Sequence, residues 1–277
     1  MNGLRSLSRL TATPRRQAGL LAALTGACLV AFFLAPNELA RGSVSTANVG
    51  EAFREGFTAY WASGGRDFPA QLDTTVAFWF RFHLVKAGVS ALLLAVAAAF
   101  AVVLWRHSRQ RAADGRAARL SQTLAGALVG TVGLFALVAL MANLQGAAAP
   151  FASLLPLLTT GQDGELTAAV TEIRQQLAAS PDGRRSPALT AMIDDFAVYH
   201  AVLAALAAVV AFALAGASVM AWKRFRASAD ARSRRSARTA GLASALLAAV
   251  ALVIAVANTM SAADSAQALS GFFAGGW

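Results

Sequence analysis

The sequence predicts an all-α integral membrane protein: a helical bundle of about five transmembrane helices, with a duplicated two-helix hairpin and a helical extracytoplasmic cap. Three observations predict this fold class. Of the 277 residues, 57% are hydrophobic and only 14% are charged, whereas about a quarter of the residues in a soluble domain are charged. Five apolar runs come close to the length of about 20 residues that a spanning helix requires. Lys and Arg residues cluster in alternate connections between these runs.

The predicted transmembrane helices are residues 18–35, 84–105, 121–142, 201–222 and 239–257. None of these runs contains an acidic residue, and their one base is Lys86, near a helix end. Backbone groups in lipid must form hydrogen bonds within their own segment, so these runs must be helices. The runs do not alternate in polarity, which excludes a membrane β-barrel.

The first of these helices has an alternative interpretation. Arg15 and Arg16 followed by an apolar run also fit a cleaved signal peptide, including one of the twin-arginine type. No small-x-small cleavage site follows Phe33, and the run is long for a signal peptide. We therefore expect a retained helix. Cys28, the one cysteine, lies inside this run, which excludes an intramolecular disulfide and a cysteine-based metal cluster.

The distribution of Lys and Arg predicts the orientation of the helices. Three regions hold four, five and seven of the 24 bases: residues 1–17, 106–120 and 223–238. With five spans these regions share one side, so the positive-inside rule places the N-terminus in the cytoplasm and the C-terminus outside. The outer regions are then residues 36–83, 143–200 and 258–277. The basic linkers are expected to attract anionic lipid, and Trp105 and Trp222 beside them to anchor at the headgroups.

The formal net charge of +10 raises nucleic acid as an alternative partner. However, the bases form short clusters beside apolar runs and have no aromatic residues between them. This pattern is typical of membrane orientation, and we expect no nucleic acid partner.

The chain also contains an internal repeat. An offset of 117 residues aligns Phe82-His83 with Tyr199-His200 and Trp105 with Trp222, and an offset of 115 aligns Asn143 with Asn258. Rare residues in register predict a duplicated hairpin. Both copies would cross the membrane in the same direction, as a parallel repeat.

The outer regions are predicted to be helical. Val49, Phe53, Phe57 and Tyr60 recur at helical spacing behind a possible capping box of Asn48 and Glu51, and Leu166, Val170, Ile173 and Leu177 do the same after Asp163. The second helix of each repeat is expected to start early, at Asp73 and at Ser186-Pro187, and to exceed 30 residues. Asp194 and Asp195 are then expected to be solvated.

His83 and His200 are the candidate cofactor-binding residues, because equivalent histidines on two helices could ligate haem axially, bind a metal or sense pH. The alternative is a pair of interfacial histidines beside an aromatic belt. Asn143 and Asn258 are expected to end their helices as caps, or alternatively to line an outward cavity with the histidines. Lys86 lies one turn inside His83, where it could snorkel to the interface or act as a functional charge.

Two short stretches carry a resemblance to a known group of proteins. They are residues 60–68, Tyr-Trp-Ala-Ser-Gly-Gly-Arg-Asp-Phe, and residues 80–83, Phe-Arg-Phe-His. With the Ala- and Arg-rich composition, they resemble uncharacterised multi-pass membrane proteins of high-GC actinobacteria. The resemblance implies a plasma membrane location and no assigned activity, and it supplies no functional residues.

Three function classes stay open. The favoured one is a non-enzymatic scaffold or interaction protein that binds a membrane-protein partner or forms a homo-oligomer. The others are a haem- or quinone-linked redox protein that uses His83 and His200, and a channel or transporter. The sequence shows no phosphate loop, HExxH motif or nucleophile elbow, and it predicts no catalytic residue.

Overall fold

The computed structural model describes residues 14–110, 116–160, 164–179 and 185–275. Within these residues the backbone forms helices and connections but no strand. The helices are α1 (Pro14–Ala40), α2 (Val49–Ser63), α3 (Ala70–Gln110), α4 (Arg116–Ala148), α5 (Pro150–Leu154), a 3-10 helix (Leu155–Thr160), α6 (Gly164–Ala178), α7 (Pro187–Ala227), α8 (Ala231–Ala263) and α9 (Ser265–Phe273).

Five helices in the described part of the chain are long and apolar enough to cross a membrane, namely α1, α3, α4, α7 and α8. The predicted all-α multi-pass class is therefore confirmed. In their most apolar stretches only 11% to 28% of the residues are buried inside the protein. Lipid chains are as apolar as leucine, so such helices can expose these faces to a bilayer.

The long helices extend beyond the predicted spans. α3 and α7 each have 41 residues, or about 62 Å at 1.5 Å per residue. This confirms that they exceed 30 residues. α4 and α8 have 33 residues each and continue through Asn143 and Asn258. The prediction that these asparagines end the helices is wrong, because their side chains bond within the bundle and leave the backbone helical.

The predicted outer regions and linkers are mostly helical. Residues 36–83 include the end of α1, all of α2 and the start of α3. The basic linker at 223–238 contains only three residues outside helices, Ser228–Asp230, and the tail at 258–277 contains α9. In the linker at 106–120, residues 111–115 lie outside the described residues.

One of the predicted helix starts is confirmed. Ser186 caps α7: its Oγ accepts a hydrogen bond from the Leu189 N–H at 3.2 Å, and Pro187 occupies the first turn. This combination supplies an acceptor to one backbone donor of the first turn and removes another. α7 therefore begins where the sequence predicts.

The other predicted caps differ in the structure. Asn48 precedes α2 but does not cap it, because its Oδ1 accepts from the Ser45 N–H at 2.7 Å. Asp73 lies in the first turn of α3, which already begins at Ala70. The third predicted cap, Asp163, lies outside the described residues.

The described chain divides into two compact units. The first unit takes its residues from Met1–Arg41 and Arg81–Asn143, and it contains α1, most of α3 and most of α4. Its core is the cluster of Cys28, Leu93 and Ala136. Phe32 of α1 packs edge-on against Phe135 of α4, with 5.4 Å between the ring centroids. Cys28 is thus a buried apolar side chain.

The second unit comprises Gly42–Phe80 and Leu144–Trp277. Its α7 and α8 pack along each other, and α9 contacts both of them. Its remaining helices form a cap domain of α2, α5, α6, the 3-10 helix and the first turns of α3 and α7. In this part of the protein α2 contacts α6, and α5 contacts α7.

An aromatic core holds the cap together. Phe53, Phe57 and Tyr60 of α2 are fully buried and surround Phe151 of α5. α2 also approaches the start of α3 closely, because a Cβ at Gly56 would lie 3.1 Å from the backbone of Leu72. The predicted stripe of α2 therefore faces the core.

Hydrogen bonds attach the cap to α7. The Tyr60 hydroxyl donates to the Ala188 carbonyl at 3.2 Å, and burial raises the pKa of Tyr60 to about 12, against a smaller opposing effect of Arg66. Asp195 accepts from the Ala152 N–H of α5 at 2.7 Å. The prediction of a solvated Asp195 is therefore wrong, because one side of α7 at this level lies against the cap.

Candidate functional site

The first predicted site residues, His83 and Asn143, are bonded to each other across α3 and α4. The distance between His83 Nδ1 and Asn143 Oδ1 is 2.9 Å. Asn143 is only 5% exposed, and its Nδ2 donates to the Ala139 carbonyl at 2.7 Å. Asn143 thus links its own helix backbone to the neighbouring helix, and we call this bonded pair the first clasp.

The second predicted pair, His200 and Asn258, repeats this arrangement across α7 and α8. The distance between His200 Nδ1 and Asn258 Oδ1 is 2.7 Å, and Asn258 Nδ2 donates to the Ile254 carbonyl at 2.9 Å. In both pairs the asparagine amide bonds to the carbonyl four residues earlier. We call this pair the second clasp.

The asparagines determine the neutral tautomer of both histidines. Each Nδ2 is used on a backbone carbonyl, so the amide oxygen faces the imidazole, and an amide oxygen can only accept. Nδ1 must therefore carry the proton, and in the neutral ring Nε2 carries the lone pair. Protonation at Nε2 would add charge but would retain the Nδ1–H bond, so acid does not open a clasp by removing its donor.

The two clasps have different surroundings. In the second unit, the ring of His200 lies 4.6 Å from that of Phe196, which in turn approaches Phe272 of α9 at 6.1 Å. In the first unit, the ring of His83 has Phe82 edge-on at 5.8 Å. Both histidines are half-buried. The predicted approach of His83 to His200 stays a prediction.

The helices that carry the clasps correspond in position. α3 begins at Ala70 and α7 at Pro187, 117 residues later. α4 ends at Ala148 and α8 at Ala263, 115 residues later. These are the two offsets at which the sequence aligns the histidines and the asparagines.

No protein-family model, no curated protein and no solved structure matches the chain. The geometry of the described residues is therefore the basis for a functional conclusion.

Lys86 lies one turn from the first clasp, and no base occupies the same place beside the second clasp, where Leu203 lies 117 residues after Lys86. Its ammonium Nζ is 4.4 Å from the centroid of the Phe32 ring and 5.3 Å from that of Phe82. A cation over aromatic faces is stabilised by the ring quadrupoles. Lys86 therefore contributes to the contact of α1 with α3, a role that the sequence alone did not indicate.

A polar cleft opens on the cap. It has a volume of about 330 Å³ and lies between α2, the segment before it and the first turns of α3. Glu55 in its wall accepts a hydrogen bond from Gln71 at 2.8 Å. The full lining is Ser43, Val44, Asn48, Glu51, Ala52, Glu55, Gln71 and Thr74.

Two further polar contacts join helices within the second unit. Gln145 Nε2 donates to the Tyr199 carbonyl at 3.2 Å, and Trp79 Nε1 donates to Ser153 Oγ at 2.8 Å. Among the described residues, no group of three or more His, Cys, Asp or Glu side chains comes together to hold a metal ion.

Proposed function

We propose that this protein is a multi-pass membrane scaffold, in which two copies of one hairpin carry an extracytoplasmic cap that binds another membrane protein or a second copy of the chain. The observation that carries this proposal is the pair of clasps. In each clasp a histidine and an asparagine of the long helices bond to each other, and this bond holds two neighbouring helices together. Hydrogen bonds between membrane helices have this stabilising role.

The duplication of the hairpin is part of the proposal. It is supported by the constant offsets and the recurrence of the same asparagine geometry. A duplicated hairpin provides a stable membrane base, and the segments before the first copy and between the two copies are then available for another role. In this chain those segments form the cap.

The cap has the properties of a binding module. Its aromatic core fixes the helices, so the polar cleft between α2 and α3 presents a defined surface. Glu51 and Glu55 give this surface negative charge, and it favours a partner segment that carries Lys or Arg. The bases of the chain itself are concentrated elsewhere.

We also propose the finer topology: a plasma membrane protein with a cytoplasmic N-terminus and an extracytoplasmic C-terminus, and with a retained first helix. The three basic regions support this orientation. The packing of Cys28 and Phe32 against α3 and α4 supports retention of α1. The resemblance to actinobacterial membrane proteins agrees with this location. Reporter tags at both termini and in the two basic linkers would test the topology.

Site-specific photo-crosslinking tests the scaffold proposal. A photoreactive amino acid replaces Thr74, on the rim of the cleft, and in a separate variant Phe212, which is 79% exposed on the apolar surface of α7. We expect a discrete heavier protein adduct from Thr74 in native membranes, and lipid adducts from Phe212. Two differently tagged copies of the chain distinguish a homo-oligomer from a different partner. Absence of a protein adduct from both Thr74 and a second cleft position, Glu51, would refute the proposal.

A redox function is the second candidate, and the tautomer of the two clasp histidines favours it. With Nδ1–H held by an asparagine, each imidazole can offer Nε2 to a haem iron or accept a hydrogen bond from a quinol. An absorbance spectrum of detergent-purified protein tests the haem form. A Soret band that disappears in His200→Leu would favour this candidate over the scaffold.

A further inference from the structure

The turn between α7 and α8 carries an unusual concentration of positive charge. Residues 223–238 contain seven bases and one acid, Asp230. Asp230 is used as the cap of α8, because its Oδ2 accepts a hydrogen bond from the Ser233 N–H at 2.8 Å. The bases, which we call the basic turn, are Lys223, Arg224, Arg226, Arg232, Arg234, Arg235 and Arg238.

The basic turn is exposed, and none of its bases is in a close ion pair with a described residue. All seven side chains are exposed. Among the described residues the ion pairs are Arg41 with Glu38 and Arg66 with Asp194, and neither involves the basic turn. Asp230 interacts electrostatically with Arg232, and the guanidinium of Arg234 lies 4.9 Å from the centroid of the Phe225 ring. The charges therefore repel one another unless an external anion lies beside them.

The position of the basic turn identifies the anion. Trp222 marks the end of the apolar part of α7, and it packs against α8, where a Cβ at Gly241 would lie 3.3 Å from its Nε1. Trp prefers the level of the headgroups. At 1.5 Å per residue, Arg226 lies about 6 Å beyond Trp222 and Arg235 about 9 Å beyond Gly241. Both distances are within a Debye length of about 8–10 Å from that level.

We propose that the basic turn is a docking surface for the phosphodiester headgroups of anionic phospholipids in the bilayer that α7 and α8 span. Guanidinium groups match phosphate oxygens in geometry and charge. The partner is the lipid of the same leaflet, because the α7–α8 connection has only three residues outside helices and keeps every base close to Trp222. This inference is independent of the proposed scaffold function and of its cleft.

The test measures lipid selectivity of the full-length protein in liposomes by electron spin resonance. Spin-labelled phosphatidylglycerol and phosphatidylcholine report the relative association constant of the two lipids at the protein surface. Each base near a charged surface raises the association constant for anionic lipid by about a factor of five before screening. A preference for the anionic lipid of at least about threefold is therefore expected at low salt. At 1 M salt the screening length falls to about 3 Å and the preference should largely disappear.

Matched variants assign the preference to the basic turn. Arg226→Gln with Arg235→Gln should reduce the preference by about half or more, whereas Arg54→Gln with Arg185→Gln removes equal charge elsewhere and should leave it unchanged. Arg226→Lys with Arg235→Lys should retain most of it, because charge is kept. Circular dichroism checks that each variant is folded.

Three results would overturn the inference. One is equal association of the two lipids at low salt in the wild-type protein. Another is an equal reduction of the preference in the two Gln variants. Binding of a DNA oligonucleotide to the basic turn in liposomes that already contain phosphatidylglycerol would show that nucleic acid is the preferred partner, and would likewise overturn it.

Discussion

Replacing Asn143 by leucine removes the acceptor of the His83 Nδ1–H and one side-chain bond within α4. Asn143 is only 5% exposed, so water reaches this position poorly. An interhelical hydrogen bond in a membrane protein contributes about 0.6 kcal/mol on average and up to about 1.7 kcal/mol. The loss of a partner for a buried donor adds to this cost. We therefore expect Asn143→Leu to lower the free energy of unfolding by about 1–2 kcal/mol.

A double-mutant cycle isolates the bond from the other effects of the substitution. His83→Leu, Asn143→Leu and the double variant are unfolded in mixed micelles by increasing fractions of dodecyl sulfate. We expect a coupling energy of about 1 kcal/mol, which makes the double variant more stable than the sum of the single costs predicts. Val138→Leu, at an exposed position of the same helix, serves as the control for the added leucine and should change stability by less than about 0.5 kcal/mol.

The second clasp provides an internal comparison. Asn258 is only partly buried, so the His200–Asn258 coupling should be smaller, about 0.5 kcal/mol. Additive single costs in both cycles, within the error of about 0.3 kcal/mol, would refute the conclusion that the clasps hold the helices together. A second clasp with much stronger coupling than the first would refute the argument from burial.

Three further predictions concern the cap and α9. Between pH 10 and 12 the free energy of unfolding of the wild-type protein should fall relative to that of Tyr60→Phe, which chemical unfolding across this range measures. Because the pKa of Tyr60 is raised to about 12 in the folded protein, the tyrosine ionises first in the unfolded chain, so the stabilisation from neutral Tyr60 is complete below pH 10 and is lost as the pH approaches 12. Asp195→Ala should cost about 1–3 kcal/mol because it leaves a backbone N–H of α5 without an acceptor, whereas Asp194→Ala next to it, which breaks only an exposed ion pair, should cost less than about 1 kcal/mol; equal costs would contradict the assignment. Gly56→Ala should destabilise the cap by about 1–3 kcal/mol, because its new methyl group would press against the start of α3, whereas Gly271→Ala has open space on α9 and should be neutral or slightly stabilising. The protease resistance of the cap in each variant distinguishes the two outcomes.

The positions of the long helices could be predicted from the sequence because hydropathy and charge are local properties. The early start of α7 could also be predicted, because Ser186 and Pro187 are a local signal. The roles of Asn143 and Asn258 could not. An asparagine near the end of an apolar run is typical of a cap, and only the distance to a histidine on the neighbouring helix shows that it bonds across the pair.

The burial of Asp195 could have been predicted from its spacing to the apolar residues of α7. Leu189, Met192 and Phe196 form a buried stripe on α7, and Asp195 follows Met192 by three residues. A carboxylate beside such a stripe requires a donor when the stripe is covered. Asp194 lies about 100° further around the helix and remains in solvent. Periodicity could therefore have separated the two neighbours, although it could not have named the Ala152 N–H as the donor.

The two hairpins differ in the contacts that other helices make with them. Both carry the same clasp, so the clasp cannot explain a function specific to one of them. The distinguishing contacts come from a different third helix in each unit: α1 brings Phe32 to Lys86 in the first, and α9 brings Phe272 to Phe196 in the second. Leu203, 117 residues after Lys86, carries no charge and would lack the cation–π component of such a contact. The two hairpins thus differ in the helix that packs against each of them, α1 in the first unit and α9 in the second.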